Sequence, residues 1–150
     1  MTMFRKILVP LDGSDHSTHA LEVAVRIAKE FEGRITLIHV YSVSAWPIGM
    51  PGIPESTLTV PYDQLIEGAR KTGSAILVDA GKKGKNEGIQ VKKLLKEGHT
   101  VEEILRTARE GKFDLIVMGA RGISRIKEIL LGSVTDGVMR HAPCPVLVVK

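Results

Sequence analysis

Asp114-Leu-Ile-Val-Met118, then Gly119-Ala-Arg-Gly122, then nine residues, then Gly132-Ser-Val134: this stretch decides how the chain is read. Its apolar run, ending at Met118, has the length and composition of a buried strand. Two spaced glycines follow, and an amphipathic segment begins at Ser133. Together these make a phosphate cradle. Glycine lets the backbone approach an anion closely and take a positive φ. Successive amides form a concave nest. A helix starting at Ser133 adds free N–H groups and a partial positive charge. Two glycines after a strand are equally the mark of a turn, so the stretch alone leaves both readings open.

Working outward, strands and helices alternate. Phe4 to Pro10 reads as a strand with Ile7, Leu8 and Val9 buried. Leu11-Asp-Gly-Ser14 reads as a turn, with Ser14 or Asp15 capping the next helix. That helix runs to about Phe31, carries Ala20, Ala24, Ile27, Ala28 and Phe31 on one face, and stops at Gly33. Arg34 to Tyr41 is a second strand. Ser42 to Pro61 holds four prolines and two glycines and has no convincing period. It is longer than the roughly 12–15 residues usual for a plain loop. Trp46, Ile48, Met50 and Ile53 within it either cover a ligand, contact a partner or pack locally.

Tyr62 to about Lys82 reads as a helix with Leu65, Ala69, Ile76 and Ala80 on one side, weakened at Gly68 and Gly73 by about 1 kcal/mol each. Lys83 to Gly88 reads as a loop, and Ile89 to Lys96 as a third strand polar enough for a sheet edge. Thr100-Val-Glu-Glu103 has the pattern of a capping box opening a helix through Ala108, with Val101, Ile104, Leu105 and Ala108 inward. Phe113 to Met118 is the fourth strand and Lys127 to Leu131 a short helical turn. Val134 to His141 is the last helix and Cys144 to Val149 the fifth strand. This alternation implies one α/β domain over residues 1–150, a parallel sheet with right-handed crossovers.

Composition excludes several classes. The chain has 150 residues, 43% hydrophobic and 25% charged, ordinary for a globular domain with a substantial core. No apolar run approaches the roughly 20 residues that span a bilayer. Ile7-Leu-Val9 is too short for a signal peptide, so the expected location is cytoplasmic. Cys144 is the single cysteine and reads as a small half-buried residue. The five histidines show no zinc spacing. The net charge of +4 permits anions without selecting nucleic acid, and aromatic residues at 4% supply few stacking platforms.

The whole spacing, Gly-x2-Gly-x9-Gly-Ser, resembles the ATP-binding signature of the universal stress protein family, matched at Gly119, Gly122, Gly132 and Ser133. Ile7-Leu-Val-Pro-Leu-Asp-Gly-Ser14 and Pro143-Cys-Pro-Val-Leu-Val-Val149 are also similar to that family. The likeness runs from end to end, weakest between about Ser42 and Gly88. It implies an open twisted five-stranded sheet of order 3-2-1-4-5, with helices on both faces, of the adenine nucleotide alpha hydrolase type. The chain then reverses direction between strands one and four, where ligands of open α/β sheets bind. Pro10, Leu11 and Asp12 at the end of strand one would meet Met118, Gly119, Arg121, Gly122, Gly132, Ser133 and Val134. The amides and the Ser133 hydroxyl would hold phosphates. Val40 would line an adenine pocket. Asp12 would take a ribose hydroxyl, lie near Mg²⁺, or merely cap the first helix. Arg121 and Arg125 would reach phosphates or do nothing.

The resemblance thus implies ATP, with Mg²⁺, as the ligand of a nucleotide-dependent regulatory switch or sensor. It also implies a homodimer joined through the apolar edge strand Val146-Leu-Val-Val149. The alternatives are a slow ATP hydrolase or phosphoryl-transfer enzyme, for which no acidic metal pair or general base is visible, and a nucleotide-free partner-binding module. There is no GxxxxGK[ST], so no P-loop, and the turn after strand one has only Gly13 and not GxGxxG, which argues against a dinucleotide Rossmann site. Asp12-Gly-Ser14 also departs from the Ser-Gly-Gly-x-Asp-Ser turn of ATP pyrophosphatases, which argues against adenylation chemistry.

Overall fold

The computed structural model describes residues 3–42, 62–122 and 131–150. Five strands, β1 (Lys6–Pro10), β2 (Arg34–Tyr41), β3 (Val91–Glu97), β4 (Leu115–Gly119) and β5 (Val146–Val149), form one sheet of order β3-β2-β1-β4-β5. Every pairing is parallel. The helices are α1 (Asp15–Phe31), α2 (Tyr62–Asn86), α3 (Thr100–Glu110) and α4 (Ser133–His141). The expected order and the helices on both faces are both present.

Side-chain alternation along each strand sorts the core into two layers. Ile7 and Val9 of β1, Ile35 and Leu37 of β2, and Leu115 and Val117 of β4 pack with α1 and α2. Leu8, Ile38, Ile116 and Met118 point the other way, towards Ile104 and Ala108 of α3 and Val138 of α4. The central strands β1 and β4 are covered on both faces. That is why they read as unbroken apolar runs rather than alternating ones.

Local details depart from the sequence expectations in instructive ways. Ser14 is the N-cap of α1, its side chain accepting from Ser17 N. The left-handed residue ending α1 is Glu32, at φ 53°, not Gly33. Gly33 is required for a different reason: a Cβ there would stand 2.5 Å from Phe4 O. Phe31 is 39% exposed and meets Phe4 edge-on at 5.3 Å.

Helix α2 continues to Asn86, through residues that read as loop. Gly73, Gly81 and Gly84 lie on its buried face against β2 and β3, so these glycines bring the helix close to the sheet. The cap of α3 is His99, which accepts from Glu102 N at 3.5 Å, so Thr100 stands inside the helix and the capping box does not form. β3 occupies a sheet edge, as its polarity indicates. The expectations for Trp46, Ile48, Met50, Ile53, Arg125 and Lys127 lie outside the described residues.

Candidate functional site

β1 and β4 are neighbours in the sheet although more than 100 residues separate them. From β1 the chain moves outward to β2 on one side, and from β4 to β5 on the other, which opens a crevice at their carboxyl ends. A cavity of about 370 Å³ lies there. Pro10, Leu11, Asp12, Val40, Met118, Gly119, Arg121, Gly122, Gly132, Ser133 and Val134 all line it, so these eleven residues expected from the sequence reach one cavity. Ser17, Ile38, His39, Thr100, Ile104 and Thr135 line it too and were not foreseen. Only Thr135 carried a signal: it follows Ser133 on the first turn of the same helix.

The three cradle glycines do not act through positive φ. Among the described residues the glycines with positive φ are Gly13, Gly88 and Gly98. Gly119 is needed for close approach: a Cβ would lie 2.7 Å from His16 Cβ and 2.8 Å from its backbone carbon. A bare backbone at the end of β4 therefore lets the first turn of α1 settle onto it. Gly122 lies against Asp12, and a Cβ there would be 2.5 Å from Oδ2. Gly132 differs from both. Its φ of −70° and ψ of 158° suit any residue, and a Cβ would make only ordinary contacts, 3.5 Å from Arg121 Cα and 3.6 Å from Gly122 N. The fold itself does not demand glycine at position 132.

Gly132 is also the N-cap of α4, and it offers no side chain to that helix start. The first amides of a helix have no intrahelical acceptors, and here Ser133 and Val134 present theirs beside the cavity. The chain around them is held firmly. Gly132 N donates to Ala120 O at 2.8 Å, and the buried Thr135 hydroxyl donates to Gly119 O at 2.8 Å. These two bonds fasten the start of α4 to the end of β4, so the amides of both segments keep a fixed spacing.

On the β1 side, Asp12 Oδ1 accepts from Ser14 N at 2.9 Å, an Asx turn that supports the start of α1, while Ser14 does the capping. His39 Nδ1 sits 2.7 Å from Leu11 O. A carbonyl only accepts, so Nδ1 carries the proton. Arg121 lines the cavity, and its Nε is buried without a partner among the described residues. The walls divide by chemistry. Ile38, Val40, Ile104 and Met118 are apolar, whereas Asp12, Arg121, Ser133 and the loop amides are polar. Such a cavity suits a molecule with a flat apolar part and an anionic tail.

Among the described residues Asp12 is the one carboxylate of the lining. Among the described residues no group of three or more His, Cys, Asp and Glu side chains gathers to hold a metal ion. Cys144 lies apart from the cavity, and its thiol is shifted upward by burial and by the charge of Asp114, the opposite of an activated nucleophile.

A family model for universal stress proteins matches residues 3–150. The chain belongs to the universal stress protein family. It is similar to the universal stress protein YxiE of Bacillus subtilis, 38% identical over 99% of this chain and 100% of that one. Among solved structures, the universal stress protein UspA from Lactobacillus plantarum is 26% identical, with a TM-score of 0.84 over 100% of both chains. A universal stress protein solved in complex with cAMP is 27% identical, with a TM-score of 0.68 over 99% of this chain and 98% of that one. The universal stress protein fold thus accounts for the whole chain. No helix among the described residues is long and apolar enough to cross a membrane.

Proposed function

We propose that this protein binds an adenine nucleotide, ATP foremost, in the cavity between β1 and β4, and serves as a nucleotide-dependent regulatory switch. The observation that carries this reading is the side-chain-free N-cap at Gly132. The fold does not require glycine there, yet glycine leaves the Gly122, Ser133 and Val134 amides uncovered beside the cavity. An anion explains that choice, because a helix start and its preceding amides bind phosphate. The cAMP-bound relative supports an adenine nucleotide as the occupant.

In this reading the phosphates rest on the amides of Gly122, Ser133 and Val134, with the Ser133 hydroxyl adding a donor; Gly132, whose own amide is held by Ala120 O, contributes its bare Cα. The Arg121 guanidinium supplies charge. Ile38 and Val40 receive the base, and Pro10, Leu11 and Met118 close the wall beside Gly119. Asp12 Oδ2, the oxygen not committed to Ser14, takes a ribose hydroxyl. Mg²⁺ would arrive with the phosphates and complete its shell with water, since Asp12 is the single acidic residue of the lining among the described residues. With one carboxylate among the described lining residues, already engaged in a turn, the reading is of slow hydrolysis at most. The protomers would pair through the free edge of β5, Val146–Val149.

Titration calorimetry tests the site. Mg·ATP should bind with one nucleotide per chain. Ser133 is exposed, so Ser133→Ala should leave the fold intact and weaken binding about ten- to a hundredfold, the worth of one hydrogen bond to a charged group. Failure of millimolar Mg·ATP to bind the wild-type chain would contradict the proposal.

A further inference from the structure

A second cavity, of about 550 Å³, lies on the same face of the sheet but away from the switch point, between β3 and α3. It exists because the sheet is wider than its helical cover. α2 packs on β2 and β3 from one side, while on the other α3 packs on β2 and α4, and among the described residues no helix covers the β3 strip. Lys92, Leu94 and Lys96 stand on this strip, in register with Thr36, Ile38 and Val40. Leu94 and Phe113 are half-buried and form an apolar floor. Lys92, Lys96 and Arg34 are exposed, and none of the three has an ion-pair partner among the described residues. Glu110 is the single acidic residue of the lining.

Lysines along an edge strand also discourage edge-to-edge pairing. That role explains charge, but not an apolar floor left open between the charges. We propose that this groove is a docking surface for an acidic, extended segment of a partner protein. The spacing sets the motif. Lys92 and Lys96 are four strand residues apart, about 13 Å at ~3.3 Å per residue. An extended segment of the form acidic-x-apolar-x-acidic has the same period. It would place its carboxylates on the two lysines and its central side chain on Leu94. Nucleic acid fits less well, because the lining supplies a single aromatic ring, Phe113, and Lys6 already stands over one of its faces at 4.9 Å. This surface stands independently of the nucleotide cavity.

The test is an amide-shift titration of the full chain with a capped peptide, Gly-Glu-Thr-Leu-Thr-Glu-Gly. Shifts should concentrate in Val91–Glu97 and Thr107–Phe113. Lys92→Glu together with Lys96→Glu changes only exposed side chains and should lower affinity by about tenfold, the combined effect of two exposed ion pairs. A peptide with both Glu replaced by Lys should recover affinity for that variant and not for the wild type. Absence of shifts in these segments at saturating peptide would overturn the proposal. So would an undiminished affinity in the double variant, or tighter binding of a single-stranded oligonucleotide to the same residues.

Discussion

The glycines of the cradle are not equivalent, and the difference is measurable. Gly119 is fixed by the protein: the backbone of His16 occupies the space a Cβ would need, and backbone yields little. Gly119→Ala should therefore cost about 1–3 kcal/mol of stability by overpacking, read from chemical denaturation. Gly132→Ala should cost about 1 kcal/mol or less, the difference between glycine and alanine at an N-cap. It should nevertheless impair nucleotide binding, because the added methyl stands 3.6 Å from Gly122 N. Equal destabilisation by the two substitutions would contradict this division. Of the two reasons the sequence offers for these glycines, close approach and positive φ, the structure shows the first at Gly119 and Gly122 and the second at none of the three. Spacing reveals that a backbone must be bare but not whether conformation or contact demands it. His39 and Thr100 were missed for a related reason: each sits at an element end whose place at the cavity depends on tertiary packing.

Among the elements, α2 shows how contact overrides propensity. Glycines weaken an isolated helix, so a run containing Gly81, Gly84 and several lysines reads as a helix that stops early. In the fold Gly73 meets His39 and Leu95, and Gly84 meets Val91, so the glycines lie on the face that approaches the sheet and the helix runs on. Gly68 has nothing within 4 Å and gains nothing from being glycine. Gly68→Ala should stabilise by about 1 kcal/mol, raising Tm by about 2–4 °C. Gly73→Ala should lower Tm despite its better propensity, since its Cβ would stand 2.5 Å from the His39 ring. A rise in both would mean that α2 is not seated as described. The strands were easier to read, because β1 and β4 are buried on both faces and leave an uninterrupted apolar signal.

At the scale of the molecule, alternation of strand and helix implies a parallel sheet, but it does not order the strands. The order came from the resemblance carried by the glycine spacing and the two terminal segments, and it is what brings Asp12 to Gly122. The same order leaves β5 at an edge. Pro145 O and Val149 O both accept from the β4 side. By alternation, the backbone groups of Val146 and Val148 face outward. If protomers pair through this edge, Val148→Pro removes an outward N–H without touching the β4 ladder, and sedimentation should shift from dimer to monomer. An unchanged sedimenting mass, or a wild type that is already monomeric, would rule out that interface.

The central claim is that the cavity between β1 and β4 holds an adenine nucleotide. It is tested most directly by denaturing freshly purified protein and identifying the released small molecule by mass. The account predicts ATP in near-stoichiometric amount from the wild type and none from a folded Gly132→Val variant. ADP in its place would keep the site and point to turnover. A wild-type protein that releases no nucleotide and takes up no added Mg·ATP would contradict the account and reduce the glycine cradle to a turn.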